Sequence, residues 1–303
     1  MAGKILNFGS LNIDYVYALD HIVKEGETES SFDYQVFASG KGLNQSVALA
    51  RAGGRVFHAG RIGQEGLFLK EALEQCGVDC RLLLTDDGAN GHAIIQRSVT
   101  GENSIVLYPG ANHKITQADI DHTLAHFNKG DILVCQNEIS QMKYLILSAF
   151  EKGMKIAWNP SPITDIVRDI DFRMISWLII NEIEGQAITG EASSEKILAA
   201  LRKQYPNLHV VLTLGADGSV YQDANMTAHQ ARYSVSVKDT TAAGDTFLGY
   251  FISEVSMAEE TESDVKKALS LASMAAALAV SREGAMPSVP VREEVESELA
   301  KRL

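Results

Sequence analysis

Short apolar segments of strand length alternate with longer segments of helical periodicity along most of this chain, and that alternation limits the fold more than any other feature. The strand candidates lie at 4–9, 56–59, 132–135, 155–158, 175–180, 209–214, 220–221 and 233–237. The helical candidates begin at residue 42 and continue at 67–75, 116–127, 142–152, 182–204, 243–258 and 264–281. Alternating strands and helices predict an α/β fold with a mainly parallel sheet and helices on both faces.

Residues 91–108 depart from this alternation. Two strand-like runs, 91–99 and 103–108, are joined by a short turn around Gly101, which is a hairpin signal. A further strand candidate at 34–37 has no helix directly before it. These pieces predict a small sheet set apart from the α/β body. Because no internal repeat or Pro-rich linker interrupts the chain, we expect residues 1–303 to form a single domain.

Composition excludes two classes of partner. The 303 residues include 27 Lys and Arg against 39 Asp and Glu, a net charge of −12. Nucleic-acid binding needs clustered basic side chains, so we expect no nucleic-acid partner. The longest apolar run, 274–280, is far shorter than the span of about 20 residues that a membrane helix requires. A ligand that carries phosphate must therefore be held by local groups.

The amino terminus indicates a cytoplasmic protein. Residues 1–6 contain one Lys and lead directly into a strand, with no basic leader, apolar stretch and cleavage site in succession. The three cysteines are odd in number and lack paired metal-ligand spacing, so we interpret them as reduced thiols.

The most informative segment is DTTAAGDTF at 239–247, which opens a helix with three very small residues, Ala242, Ala243 and Gly244. Small side chains let a ligand approach the free N–H groups of a helix amino terminus, which attract anions such as phosphate. Asp245 would repel that phosphate unless it accepts a proton from an attacking alcohol. Its alternative role is to complement the helix dipole.

Two polar motifs near the amino terminus suit hydroxyl recognition. Asn12 and Asp14 stand two residues apart after the first strand, so an extended backbone places both on one face. The segment SGKGLNQ at 39–45 is a Gly-flanked turn that opens a helix and carries Asn44. Caps and turns are the alternative explanation for these Asn and Asp residues.

Two later motifs fit a nucleotide and its metal. Asn181 and Glu184 follow a strand at one helical turn's spacing, which suits Mg²⁺ and phosphates or, alternatively, a helix cap. The segment TLGADG at 213–218 fits a nucleotide-binding turn or a plain hairpin.

Sequence patterns of several other enzyme classes are absent. The chain contains no G-x-G-x-x-G dinucleotide fingerprint and no G-x-x-x-x-G-K-[ST] phosphate loop. It also contains neither a G-x-S-x-G elbow nor an H-E-x-x-H helix. A non-catalytic sugar-binding sensor on the same fold stays open as the alternative to an enzyme.

The ordered motifs resemble the ribokinase group of the PfkB carbohydrate kinase family over residues 9–290. The most specific pieces are GKGxNQ at 40–45, DTxAAGDTF at 239–247 and GAxPSVP at 284–290. The resemblance implies a ribokinase-like fold with a β-sheet lid built from about 12–40 and 90–110. It also implies ATP, Mg²⁺ and K⁺ as cofactors and a homodimer that forms through the lid.

The resemblance further implies a role for each matching position. The expected sugar contacts are Asn12, Asp14, Gly40, Lys41, Asn44 and Glu138. The expected anion hole and catalytic base are Ala242, Ala243, Gly244 and Asp245. The expected nucleotide and Mg²⁺ contacts are Asn181, Glu184, Thr213, Gly215, Gly218 and Ser273. The expected monovalent-cation site, largely of backbone carbonyls, comprises Asp239, Thr241, Ala279, Arg282, Gly284 and Ser288.

The implied reaction is ATP-dependent transfer of the γ-phosphoryl group to a primary sugar hydroxyl, with ribose as the leading acceptor. Ser39 stands where the family usually has glycine, and 96–98 is more polar than the usual lid strand. These departures leave deoxyribose, a ketohexose or a nucleoside open as the acceptor.

Overall fold

The computed structural model describes residues 3–258 and 261–302. The strands are β1 (Ile5–Phe8), β2 (Asn12–Leu19), β3 (Asp33–Ser39), β4 (Val56–Gly63), β5 (Asp79–Asp86), β6 (Gly91–Ser98), β7 (Asn103–Tyr108), β8 (Ile132–Gln136), β9 (Lys155–Asn159), β10 (Trp177–Asn181), β11 (His209–Thr213), β12 (Ser219–Gln222) and β13 (Thr227–Gln230). The α-helices are α1 (Lys41–Arg51), α2 (Leu67–Gln75), α3 (Gln117–Leu124), α4 (Met142–Glu151), α5 (Ile166–Asp169), α6 (Glu182–Thr189), α7 (Ser194–Gln204), α8 (Ala243–Val255), α9 (Glu262–Val280) and α10 (Arg292–Ala300).

The larger sheet has nine strands in the order β13-β12-β11-β10-β9-β8-β1-β4-β5. Its pairings from β11 to β5 are parallel, and the two pairings of β12 at one edge, with β11 and with β13, are antiparallel. Strand β1 lies in the interior, with Ile5 paired to Val56 on one side and to Ile132 on the other. The predicted mainly parallel sheet is confirmed.

Helices cover both faces of this sheet and form two apolar cores. One core joins alternate strand residues such as Ile5, Ile132 and Val134 to α1, α2, α8, α9 and α10. The other joins the intervening residues, such as Leu6 and Leu133, to α3, α4 and α7. Because neighbouring strand residues point to opposite faces, a continuous apolar strand supplies both cores.

A separate four-stranded sheet has the order β3-β2-β6-β7. The β6–β7 hairpin turns at Gly101, whose φ of 87° lies in the left-handed region that glycine adopts readily. Strand β2 pairs with β3 antiparallel and with β6 parallel, so Asn12 and Asp14 belong to a regular strand. The prediction of a small sheet apart from the α/β body is confirmed.

Two predicted elements are wrong. The helix expected over 182–204 is two helices, because Gly190 ends α6 with a φ of 77° and the Ser193 side chain caps α7. The strand expected at 233–237 has no ladder partner. All four residues of β12 already pair with Thr227–Gln230, and the chain then leaves the sheet at its edge. Strands β5 and β13 and helices α5 and α10 were not predicted.

Two close contacts at glycines hold α1 against α8 and against the end of β1. Helix α8 packs on α1 at Gly249, where a methyl group would overlap Ala48. The start of α1 packs on the end of β1 at Gly42, where a Cβ would lie 2.5 Å from the backbone nitrogen of Ser10. Larger residues at either glycine would separate these elements. Across 3–258 and 261–302, no helix has the length and apolar character needed to cross a bilayer.

Candidate active site

The candidate site lies at the carboxyl ends of the parallel strands. Gly9 follows β1, Glu138 lies two residues after β8, and Asn181 and Thr213 end β10 and β11. In open α/β sheets this edge is where ligands bind, because the loops and helix amino termini that follow the strands meet there.

Asp245 lies in the first turn of α8 and is only 8% exposed. Its Oδ1 accepts a hydrogen bond from Gln45 Nε2 at 2.9 Å, and its Oδ2 accepts one from Asn44 Nδ2 at 3.1 Å. Both donors belong to α1, about 200 positions earlier in the chain. A carboxylate that only complements a helix dipole needs no such partners, so this contact favours a role in the site.

The turn before Asp245 exposes backbone donors. Ala242 precedes α8 with a φ of 59°, a left-handed conformation that is strained for a residue other than glycine. Gly244 is exposed, and a Cβ placed there would meet no atom within 4 Å. The first N–H groups of a helix lack intrahelical acceptors, so this turn can receive an anion beside the carboxylate.

Asn12 and Asp14 lie at the start of β2, beside the main sheet. Asn12 Oδ1 accepts a hydrogen bond from Asn112 Nδ2 at 2.7 Å. Asn112 is itself fixed, because its Oδ1 accepts from the Leu11 N–H at 3.0 Å. Burial raises the pKa of Asp14, although a hydrogen bond from Ser39 opposes this. Ser39 stands where the resembling family usually has glycine, and its side chain contacts Asp14, one of the expected sugar contacts.

Lys41 and Glu138 are the charged members of the expected set of sugar contacts. Glu138 Oε2 accepts hydrogen bonds from Ser10 Oγ and, at 3.2 Å, from the Lys41 N–H. Burial raises the pKa of Glu138 despite these donors. Burial alone would lower the pKa of Lys41, but attraction to Asp245, Glu138 and Glu184 outweighs it and raises that pKa. Lys41 therefore keeps its charge in a site surrounded by carboxylates.

Gly40 is required by its backbone conformation. Its φ is 104°, and an added Cβ would lie 2.9 Å from both the Asn12 nitrogen and the Ser10 carbonyl oxygen. No other residue fits there without moving β2 or the first loop.

A cavity of about 490 Å³ opens beside the amino terminus of α8. Among the expected nucleotide residues, its lining includes Asn181, Thr213, Gly215, Gly218 and Ser273. Ala243 and Gly244 also line it, so this cavity adjoins the anion-binding turn. The side chains of Tyr233, Val235 and Val237 supply an apolar wall. The alternating pattern that predicted a strand here instead places apolar side chains against a ligand-sized space.

Asn181 and Glu184 form a capping box at the start of α6. Asn181 Oδ1 accepts from the Glu184 N–H at 2.8 Å, and Glu184 Oε2 accepts from the Asn181 N–H at 3.0 Å. Within 3–258 and 261–302, no three His, Cys, Asp or Glu side chains group closely enough to hold a metal ion. Glu184 with Asn181 beside it nevertheless fits Mg²⁺, because Mg²⁺ is commonly held by only one or two carboxylates together with waters and substrate phosphates.

The expected monovalent-cation residues lie on two loops joined by Asp239. Its Oδ1 accepts hydrogen bonds from Thr241, at 2.9 Å from the nitrogen and 2.6 Å from Oγ1, and its Oδ2 accepts from the Gly284 N–H at 3.0 Å. Burial would raise the pKa of Asp239, but these bonds and the charge of Arg97 outweigh it and lower that pKa. The ionised carboxylate joins the loop before α8 to the segment after α9. The carbonyl oxygen of Ala279, near the end of α9, accepts from the Arg282 N–H at 3.1 Å, and that of Ser288 lies 3.5 Å from Arg282 Nη1. Carbonyl oxygens of this kind, and not the cationic guanidinium, are the groups that fit a monovalent cation.

Sequence reasoning missed several residues that hold the site together. Ser10 and Asn112 orient Glu138 and Asn12, and Gln45 and Gln136 stand behind Asp245. One signal for Gln136 was available, because it is a polar residue that continues the apolar run 132–135 in a strand buried on both faces.

The site combines a buried carboxylate beside helix N–H groups, polar side chains on one side that suit a sugar, and a cavity on the other side that suits a nucleotide. This combination defines a phosphotransferase with an alcohol acceptor. Comparison with known proteins identifies the family. Residues 2–292 match the pfkB family carbohydrate kinase, and the chain belongs to that family.

Individual relatives agree with this assignment. A ribokinase of Haemophilus influenzae is 33% identical over 296 residues, which cover 94% of this chain and 95% of the relative. The crystal structure of a Cryptococcus neoformans ribokinase in complex with ADP has a TM-score of 0.85 and 34% identity, with 98% and 99% of the two chains covered. An Arabidopsis thaliana ribokinase complexed with ribose and ATP has a TM-score of 0.87 and 29% identity, with 99% of each chain covered. The chain is therefore a phosphotransferase that acts on a sugar hydroxyl.

Proposed function

We propose that this chain phosphorylates ribose with ATP and gives ribose 5-phosphate. The observation that carries the proposal is the placement of Asp245, buried at the amino terminus of α8 and held at both oxygens by Asn44 and Gln45. Similarity to ribokinases along nearly the whole chain supports ribose as the acceptor.

In the proposed reaction, the primary hydroxyl oxygen of ribose forms a bond with the γ-phosphorus as the bond from that phosphorus to the β,γ-bridging oxygen breaks. The hydroxyl proton passes to Asp245, and ADP leaves. The amides of Ala243 and Gly244 stabilise the negative charge that develops on the transferred group. Lys41 and Glu138 hold the sugar, and Lys41 offsets the charge of the surrounding carboxylates.

We propose two cations as cofactors. Glu184, with Asn181 beside it, would hold Mg²⁺ mainly through waters, and the bound metal neutralises phosphate charge. The loops joined by Asp239 would hold K⁺ through their carbonyls, next to the anion-binding turn. A bound cation there would strengthen the attraction of this turn for phosphate.

The variant Asp245→Asn tests the proposed base. General-base catalysis contributes about 10²–10⁴ in rate, so we expect kcat to fall at least about a hundredfold. Both oxygens of Asp245 accept amide N–H groups, so the NH₂ group of the new asparagine would face the NH₂ group of either Asn44 or Gln45 and one hydrogen bond would be lost. Binding of ribose and ADP, measured by calorimetry, should nevertheless persist. Asp165→Asn is the matched control, because that side chain is fully exposed. Near-normal turnover in Asp245→Asn would contradict the assignment.

An ADP-release assay over ribose, deoxyribose, fructose and a nucleoside tests the substrate. We expect ribose to give the highest kcat/KM, with phosphate on the primary hydroxyl when the product is identified by NMR. A higher kcat/KM for another acceptor would replace ribose. Tight sugar binding without ATP consumption would favour the sensor alternative.

We also propose that the four-stranded sheet is a lid over the sugar and the contact of a homodimer. Its apolar side chains are exposed, with Val36, Ile94 and Val106 aligned in one row across the strands through Tyr15. A second copy of this sheet would cover such a surface. We further propose that residues 1–303 form a single α/β domain and that the protein is cytoplasmic, a location that suits its three free cysteines.

A further inference from the structure

A continuous row of buried polar side chains lies behind Asp245, inside the apolar core between the main sheet and helices α1 and α8. Its members come from β1, β4, β8 and α1, and each is at most 1% exposed: Asn7, Gln45, Ser46, His58 and Gln136. Asn7 pairs in register with His58, and both occupy the strand face whose other residues form the α1 and α8 core. Buried polar groups are costly unless satisfied, so such a row calls for a reason.

The hydrogen bonds of this row link Asp245 to His58. Gln45 Nε2 donates to Asp245 Oδ1, and Gln136 Nε2 donates to Gln45 Oε1 at 2.7 Å. Gln136 Nε2 also donates to Asn7 Oδ1 at 2.9 Å. Asn7 Nδ2 then donates to Ser46 Oγ at 2.9 Å, which lies 2.8 Å from His58 Nδ1.

Both ends of the chain of bonds are acceptors. An ionised carboxylate at Asp245 can only accept. Burial lowers the pKa of His58 to about 3, so its imidazole is neutral. Because the Gly9 carbonyl faces the ring nitrogen that Ser46 does not contact, we assign the ring hydrogen to Nε2, and Nδ1 then accepts the hydroxyl hydrogen of Ser46. The direction of donation must therefore reverse once between the two ends. In this row the reversal falls at Gln136, whose Nε2 carries two hydrogens and donates both ways.

We infer that Gln136 is a positioning residue for Asp245, an inference that rests on the proposed role of Asp245 as the base. Its NH₂ group donates to Gln45 Oε1 on one side and to Asn7 Oδ1 on the other. If the Gln45 amide rotated by half a turn, its oxygen would face the Asp245 oxygen and its NH₂ group would face the NH₂ group of Gln136. Gln45 thereby keeps its N–H on Asp245 Oδ1, and the carboxylate keeps one orientation toward the sugar hydroxyl. Gln136 itself touches neither substrate nor reacting atoms.

The variants Gln136→Met and Gln45→Met, alone and combined, test this inference. The bond from Gln45 to the Asp245 carboxylate is a hydrogen bond to a charged group, which is worth about tenfold or more in an equilibrium. Gln45→Met removes this bond and Gln136→Met releases it, so we expect each single variant to lower kcat about tenfold. KM for ribose and ATP should stay within about twofold, because the substrate contacts are unchanged. Since Gln136 acts through Gln45, the double variant should lose no more than either single variant.

Controls separate positioning from a general loss of packing. Val134→Ala removes core volume two residues earlier on the same strand and face, so its kcat below its unfolding temperature should match the wild type. Should Gln136→Met fail to fold, Gln136→Asn keeps a neutral amide but withdraws its NH₂ by one methylene, and the same loss is expected. Multiplicative losses in the double variant, wild-type kcat in Gln136→Met, or an equal loss in Val134→Ala would overturn the inference. Inactive Asp245→Asn with fully active Gln136→Met rejects this inference alone, whereas active Asp245→Asn rejects the proposed base.

Discussion

His58 gives the stability of this protein a specific dependence on acid. The residue lies on β4 with no exposed surface, and burial lowers the pKa of its imidazole from an ordinary 6.5 to about 3, against a weaker opposing contribution from the Gly9 carbonyl. Between those two values the unfolded chain binds a proton that the folded chain excludes. Folding is therefore favoured fully above the unfolded pKa, and this contribution is lost as the pH falls from 6.5 toward about 3.

The size of the loss follows from the shift. At about pH 5 the solution is roughly 1.5 units below the unfolded pKa, which at about 1.4 kcal/mol per unit amounts to a loss of about 2 kcal/mol. At about pH 3 the loss would reach roughly 5 kcal/mol, a large part of the stability of an ordinary domain.

The variant His58→Asn isolates this contribution. Asparagine keeps an acceptor near the position of Nδ1 for the Ser46 hydroxyl, and it does not titrate. Urea unfolding at about pH 7, 6 and 5 gives the free energy of unfolding for each protein. Between about pH 7 and 5 we expect the wild type to lose about 2 kcal/mol more than the variant. Asp14 and Glu138, whose raised pKa values act in the opposite direction, are common to both proteins and cancel in the comparison.

His113→Asn is the matched control, because that side chain is exposed and its loss should leave the pH dependence unchanged. Parallel curves for the wild type and His58→Asn would refute the reasoning. They would mean that the folded protein protonates His58 as readily as the unfolded chain does.

Two further predictions concern the cofactor and the assembly. Turnover should rise several-fold when K⁺ replaces tetramethylammonium, because carbonyl oxygens of the proposed site beside Asp239 would bind K⁺ but not the bulky organic cation; equal initial rates in the two salts would count against the site. Sedimentation at micromolar concentration should give a dimer, and Val106→Asp should give a monomer, because the charge would be buried in the interface; a monomeric wild type would rule out the dimer.

Local signals in the sequence predicted most of the architecture. Apolar strands alternating with amphipathic helices were sufficient for the parallel sheet, and the turn at Gly101 was sufficient for the hairpin of the small sheet. The failures are also local. Residues 233–237 alternate correctly for an extended chain, but their apolar side chains face a cavity and no neighbouring strand. The periodicity over 182–204 continues through Gly190, whose left-handed φ nevertheless ends the helix.

The contacts that define the site could not be predicted in this way. Asn44 and Gln45 contact Asp245 across 201 and 200 positions of sequence, and no pattern of short period reports such a pair. The contact depends on Gly249, which lets α8 approach α1 at Ala48. The motif at 239–247 indicated a carboxylate beside an anion site, but only the packing of these two helices shows what holds that carboxylate.

The polar row can support Asp245 only from the face of the sheet that packs on α1 and α8. On the opposite face the same amides would lie among Leu6, Leu133 and the helices α3 and α4, where no hydrogen bond could reach α8. On the α1 face they reach the carboxylate and end at a neutral imidazole. Protonation of His58 would make Nδ1 a donor toward Ser46, whose hydroxyl hydrogen would then need a new acceptor inside an apolar core. The burial that makes folding sensitive to acid is therefore the same property that fixes the direction of each hydrogen bond in the row.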